Sequence, residues 1–272
     1  MQVALVTGAS SGIGEATVRA LLRAGYIVYA AARRVERMEG LRHDGARLLA
    51  LDLTDDSSLT DAARKVLTEA GRIDVLVNNA GYGSYGALEE VSIAEGRRQF
   101  EVNVFGLARL IQLVIPGMRE RRSGTIVNVS SIGGQYYEPL GSWYHATKFA
   151  VEGLSDSLRI ELRPFGVRVV VIQPGSIRSE WAEIARSSLL ETSSKGPYAK
   201  NARRVAGVLT SAYLPGIASP PEVVARVIVR AVQSPNPAPR YRVGMGAKPI
   251  LALRKILPDR VFDVIVRAVY RH

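Results

Sequence analysis

Short apolar runs alternate with longer segments of helical periodicity along most of the chain. Val3–Val6, Val28–Ala31, Arg47–Leu51, Val75–Val77, Thr125–Val129 and Val167–Ile172 read as strands, and the segments between them read as helices. The pattern predicts an α/β fold, a doubly wound parallel sheet in a single domain, with Tyr241–Val243 as an added edge strand. The helix through Tyr144 and Lys148 is expected to run to Arg163, stopped by Pro164, with Ala150, Leu154, Leu158 and Leu162 available for core or subunit packing. No linker or repeat interrupts residues 1–246, and beyond the rigid turn Pro235–Pro239 a helical extension occupies 247–272.

That extension contains two helical segments, Pro249–Leu257 and Asp259–Tyr270. In the second, Asp259, Asp263 and Arg267 form a narrow polar stripe, while Val261, Phe262, Val264, Ile265, Val266, Val269 and Tyr270 take up most of the circumference. So broad an apolar face needs a cover. Its own domain or a second subunit ranks first. Because Arg254, Lys255, Arg260, Arg267 and Arg271 lie nearby, an anionic membrane surface ranks behind these.

Composition narrows the chemistry. The 272 residues are 47% hydrophobic, enough for one sizeable core. There is no cysteine, and three scattered histidines make no metal constellation, so no metal is expected. The net charge of +11 is spread along the chain, and binding an anionic cofactor accounts for it better than nucleic acid, so no nucleic-acid partner is expected. The first strand starts almost at Met1, leaving no room for a signal peptide, and no apolar run reaches the ~18 residues of a membrane span; a cytoplasmic protein is expected.

The first strand runs into Thr7-Gly8-Ala9-Ser10-Ser11-Gly12-Ile13-Gly14 and then into a helix. Glycines let backbone approach a pyrophosphate, and the free N–H groups and dipole of a helix start favour its charge. A dinucleotide is therefore expected against Gly8, Ser10, Ser11, Gly12, Ile13 and Gly14, although the spacing is GxxxGxG rather than GxGxxG. About where a ribose-reading carboxylate would stand, the second strand ends in Arg33 and Arg34. Guanidinium groups bind phosphate in a forked, charge-assisted geometry, so NADPH/NADP+ is expected over NADH. Further on, Tyr144 and Lys148 lie one helical turn apart, where an ammonium can pull a phenol toward a working proton-transfer pKa.

On these motifs the chain resembles the short-chain dehydrogenase/reductase family, in its compact single-domain branch, from Met1 to about Gly175. The resemblance implies further roles. Asn78-Asn79-Ala80-Gly81 matches the family turn at the adenosine-ribose side of the cofactor, with Asp52 and Leu53 at the adenine. Asn103 matches the helix Asn that holds a relay water, and Ser131 matches the catalytic Ser, with Ser130 the runner-up. Pro174, Gly175 and Ile177 would border the nicotinamide, while Ser179 stands where the family often has Thr, which leaves the carboxamide contacts open.

The implied reaction is hydride transfer between the nicotinamide and a carbonyl or secondary alcohol. Tyr144 is the acid-base group, Ser131 the oxygen donor and Lys148 the group that lowers the Tyr pKa and holds the ribose. Residues 178–219 resemble the family's substrate loop; Trp181, Ile184, Leu189, Leu190, Tyr198 and Tyr213 there suit either a lid over an apolar substrate or anchors for helices. The tail resembles that of steroid- and retinol-handling members, which points to a lipophilic ketone or aldehyde. The resemblance also implies a homodimer or homotetramer. Alternatives are a non-catalytic NADP(H) sensor and a biosynthetic tailoring ketoreductase.

Overall fold

The computed structural model describes residues 1–270; Arg271, counted above among the tail's cations, lies outside the described residues. Seven parallel strands form one sheet: β1 (Val3–Thr7), β2 (Ile27–Ala32), β3 (Arg47–Ala50), β4 (Val75–Asn78), β5 (Gly124–Val129), β6 (Val167–Pro174) and β7 (Arg240–Val243). Their order is β3-β2-β1-β4-β5-β6-β7, so the winding reverses between β1 and β4, where open α/β sheets bind ligands beyond the strands' carboxyl ends. The expected edge strand β7 pairs in parallel with β6, matching Val171 to Arg240 and Pro174 to Val243.

Helices follow the strands: α1 (Gly12–Arg23), α2 (Glu39–His43), α3 (Asp56–Ala70), α4 (Ile93–Phe100), α5 (Gly106–Glu120), α6 (Ser142–Leu162), α7 (Trp181–Ser193), α8 (Ala199–Ala212), α9 (Glu222–Gln233), α10 (Ala247–Ile256) and α11 (Asp259–Val269). Side chains alternate across each strand, and both sets are apolar because helices cover both faces. In β1, Val3 and Leu5 join the core under α3, α5 and α6, with Leu59, Leu110, Val114 and Val151. Ala4 and Val6 join the core under α1 and α9, with Val18, Leu21, Val224 and Ile228. Leu162 of α6 is buried, whereas Ala150, Leu154 and Leu158 pack on the core only partly covered.

The α4 and α5 helices are continuous through a π turn at Glu101–Phe105. The resulting 28-residue helix Ile93–Glu120 is long and apolar enough to cross a membrane by length and composition, a property the run-based sequence reading did not register. Its Leu107, Leu110, Ile111 and Val114 pack in the core.

Residues 178–219 are mostly helical, not an open loop. Helices α7 and α8 pack together through Ala185, Leu189, Ala202, Val205 and Leu209, and this cluster also takes in Tyr85 and Tyr144. The anchoring alternative thus accounts for Leu189, while Trp181, Ile184 and Tyr213 face the cleft described below. In the tail, Leu251 and Phe262 are buried, but Ile256, Val261, Val264 and Val269 remain exposed, so the broad apolar face of α11 is only partly covered by its own chain.

Candidate active site

The cleft at the β1/β4 reversal begins with the turn from β1 into α1. Gly8 and Gly12 have φ of +67° and +57°, a region costly for side-chain-bearing residues, and a Cβ on Gly8 would stand 2.8 Å from the Ala80 Cα. Ser11 caps α1 without a side-chain hydrogen bond, which leaves first-turn N–H groups available to an anion. The Asn79 amide ties the turn to β4 by donating to the carbonyls of Thr7 (3.1 Å) and Gly8 (3.2 Å). The Thr7 hydroxyl, unnoticed in the sequence, accepts the N–H groups of Asn79 and Ala80, both at 3.1 Å.

Gly8, Ser10, Ser11, Gly12, Ile13, Arg33, Arg34, Asp52, Leu53, Asn79, Ala80, Gly81, Ser131, Tyr144, Lys148, Pro174, Gly175 and Ile177 all line this one cleft. Gly14 and Asn103 do not. Gly14 serves packing: a Cβ there would stand 2.2 Å from the Gly8 carbonyl oxygen, so only glycine lets helix and turn meet. Asn103 sits behind the wall in the π turn, donating to the Tyr82 carbonyl (2.9 Å) and the Thr147 hydroxyl (3.1 Å) and accepting from the Tyr82 N–H (3.1 Å). Gly81 separates it from Lys148; a Cβ there would lie 3.1 Å from Asn103 Oδ1 and 3.7 Å from Lys148 Nζ.

Helix α6 brings Tyr144 and Lys148 to the cleft and is fixed to the sheet by buried amides. Asn78 donates to Asn128 (2.9 Å), and Asn128 donates to Ser155 of α6 (2.9 Å). Lys148 Nζ donates to the Val129 carbonyl (3.1 Å), and burial lowers its pKa to about 8 against the opposing pull of Glu152. Tyr144 departs from the sequence expectation: its phenol is pushed above the ordinary range, not below it. Burial dominates, the Ser131 hydroxyl pulls the pKa down, and the charge of Glu138 pushes it up. The Lys148 ammonium, 5.9 Å from the Tyr144 ring centre and itself desolvated, does not overcome that burial. Ser131 accepts the Gly133 N–H (3.0 Å), while the buried Ser130 hydroxyl finds no partner among the described residues. Both serines line the cleft.

At the opposite end, Glu180 bridges to Arg34 (3.3 Å) and to Arg37, and Arg37, more than Arg34, holds the carboxyl below its ordinary pKa. Arg37 did not stand out in the sequence because it lies one helical turn past the strand end. The glycine cradle, unpaired helix-start N–H groups and neighbouring guanidiniums fit a dinucleotide phosphate chain. The reaction end is aromatic. The Trp181 ring lies 5.0 Å from Tyr144, 5.8 Å from Tyr213 and 5.9 Å from Tyr85, centre to centre.

Comparison with known proteins agrees with this geometry. A family model described as short chain dehydrogenase matches residues 2–189. A 3-ketodihydrosphingosine reductase of Bacteroides thetaiotaomicron is 36% identical over 270 residues, covering 99% of this chain and 98% of that protein. Among solved structures, a short-chain dehydrogenase from Streptomyces avermitilis is 36% identical with a TM-score of 0.83, covering 99% of this chain and 97% of the other. An alcohol dehydrogenase from Thermococcus sibiricus, complexed with 5-hydroxy-NADP, is 26% identical with a TM-score of 0.73 over 91% of this chain and 97% of the other. Complexes with NADP and with NAD both occur among such structures.

Proposed function

Because the chain belongs to the short-chain dehydrogenase family of oxidoreductases acting on alcohol and carbonyl groups, we propose that it is an NADP(H)-dependent reductase of a lipophilic ketone or aldehyde. One observation carries this reading: Ser131, Tyr144 and Lys148 converge at one end of a cleft whose other end holds the glycine turn, Arg33 and Arg34. When bound, the nicotinamide supplies the hydride. The Tyr144 phenol gives its proton to the carbonyl oxygen, and burial keeps that phenol protonated before the reaction. The Ser131 hydroxyl donates to the same oxygen as charge develops there. Lys148 would hold the cofactor ribose, and Asn103, behind Gly81, steadies the wall on which a relay water would sit.

The buried phenol, held protonated, is set to act as the acid that reduction requires. The NADP(H) preference rests on the absence of a carboxylate at the end of β2 and the presence there of Arg33 and Arg34. Trp181, Ile184 and Tyr213 supply the apolar wall that suits a lipophilic substrate. A ketone reductase among the relatives accords with the same direction.

The test is oxidation of NADPH and of NADH, followed by absorbance, across long-chain ketones, ketosteroids, retinal and medium-chain aldehydes. Turnover is expected with NADPH and is expected to fall at least about a hundredfold in Tyr144→Phe. In Arg33→Ala/Arg34→Ala the NADPH-over-NADH ratio is expected to drop about tenfold or more. Near-parental turnover by Tyr144→Phe would overturn the assignment of the acid, an unchanged ratio would overturn the role given to Arg33 and Arg34, and a parent protein that turns over NADH as well as NADPH would overturn the cofactor preference.

A further inference from the structure

Behind Lys148 stands a carboxylate that the proposed reaction does not use. Glu152 follows Lys148 by four residues on α6, so the two side chains share a face, one helical turn apart. Glu152 is buried, and its two oxygens are held from two other elements. Gln173 of β6 donates to one (3.0 Å) and Arg240 of β7 to the other (2.8 Å). The turn at Gly134 closes over the place. A Cβ there would stand 2.9 Å from Glu152 Cγ, 3.0 Å from the Lys148 carbonyl oxygen and 2.8 Å from the Ser130 hydroxyl, so only backbone fits against this stretch of α6.

A tie between α6 and the edge strand accounts for Arg240 but not for the place of its buried partner. Arg240 also reaches Asp156, one turn further along α6 and closer to solvent, which Arg159 shares. Asp156 alone would hold β7 without burying a second carboxylate, which is costly. What the buried position adds is Lys148. The hydrogen bond from Lys148 goes to the Val129 carbonyl, a dipole without a charge. Burial works against the ammonium, and the influence that opposes burial is the charge of Glu152.

We propose that Glu152 is a positioning residue for the reaction, whose buried carboxylate, one turn behind Lys148 and fixed by Gln173 and Arg240, keeps the Lys148 ammonium charged in the cleft. The proposal rests on the reductase reading for the use of that charge, beside Tyr144 and the cofactor ribose. The charged and titratable groups around the pair are Tyr144 and Asp156 on α6, Arg159 beyond Asp156, and Arg240 on β7. Gln173 of β6 and Ser130 after β5 face it as neutral groups.

The test is the titration of Lys148 in the full chain, followed by NMR of lysine labelled with carbon-13 at Cε and assigned by Lys148→Arg. The parent midpoint is expected at about pH 8. In Glu152→Gln it is expected at least about one pH unit lower, since an opposite charge one turn away is removed. Arg240→Gln breaks the same ion pair but keeps the carboxylate, and its midpoint is expected no lower than the parent's. A role confined to tying α6 to β7 predicts equal effects from the two variants. An unmoved midpoint in Glu152→Gln, or an equal fall in both, would overturn the proposal. If Glu152→Gln leaves Arg240 uncompensated and fails to fold, Glu152→Gln/Arg240→Gln removes both charges, and its midpoint against that of Arg240→Gln decides in the same way. Reduction of 2-octanone by NADPH at rising pH ties the charge to the reaction. The pH at which turnover falls should follow the Lys148 midpoint across the variants, and a fall that stays in place would overturn the part given to Glu152. A midpoint that moves as expected in a protein with no turnover at all would instead sink the reductase reading and leave the link between Glu152 and Lys148 standing.

Discussion

Lys148 sets folding against chemistry. Its ammonium is buried to 8% exposure with one carbonyl acceptor, and burial lowers its pKa from the ordinary 10.5 to about 8. Below about pH 8 both folded and unfolded chains carry the proton, so folding bears the full penalty, roughly 3 kcal/mol. Between about 8 and 10.5 the folded chain releases the proton while the unfolded chain keeps it, and the penalty shrinks as pH rises. Above that window both are neutral and it is gone. Lys148→Met is therefore expected to be about 1–3 kcal/mol more stable than the parent at pH 7, with the gap closing toward pH 10.5, while turnover is lost. Urea unfolding of both proteins at several pH values checks this. A gap that widens with pH would mean that burial is not the dominant influence on this lysine.

Helices α7 and α8 form the element most closely joined to the reaction end, because one cluster holds them to each other and to Tyr144. Leu189 is fully buried in that cluster. Leu189→Ala is expected to cost about 2–5 kcal/mol locally and to lower kcat while leaving NADPH affinity unchanged, since the glycine turn and Arg33 lie elsewhere in the cleft. Cofactor titration alongside turnover separates the two effects. The strands were legible in the sequence because burial on both faces leaves continuous apolar runs, and the glycine turn and Tyr144–Lys148 pair because their spacing is local. What escaped reading depends on contacts between distant segments. Glu138 meets Tyr85 and Tyr270 across 53 and 132 residues, the π turn at Asn103 leaves the helical pattern unbroken, and the pKa of Tyr144 follows from a cover formed by α7 and α8. The tail shows the same limit: its two helices are plain in the pattern, but which side of α11 is covered depends on Phe262 meeting Tyr137 and Tyr270 meeting Glu138.

At the scale of the whole molecule, apolar side chains stay open on two helical surfaces among the described residues. One lies on α6 and the adjoining π turn, with Phe149 at 46%, Ile160 at 70% and Phe105 at 55% exposure. On α6, Phe149 and Ile160 are eleven residues apart, three helical turns, and share a face with Gly153, which meets nothing within 4 Å. The other surface is the outer side of α10 and α11, with Ile256 and Val264. Large apolar patches on a soluble chain mark association, and a long helix with a glycine at its middle offers a second copy a flat, close approach. The chain is therefore expected to run as a dimer or tetramer through α6, despite a net charge of +11 that disfavours association. Light scattering after size exclusion should find a smaller species for Phe149→Asp/Ile160→Asp and no change for Ile256→Asp/Val264→Asp, with both variants retaining the parent's helical circular dichroism. The opposite pattern would move the interface to the tail, where a second copy would lie over Tyr270 and the Glu138 cluster, so that assembly and the reaction end would be joined through α11.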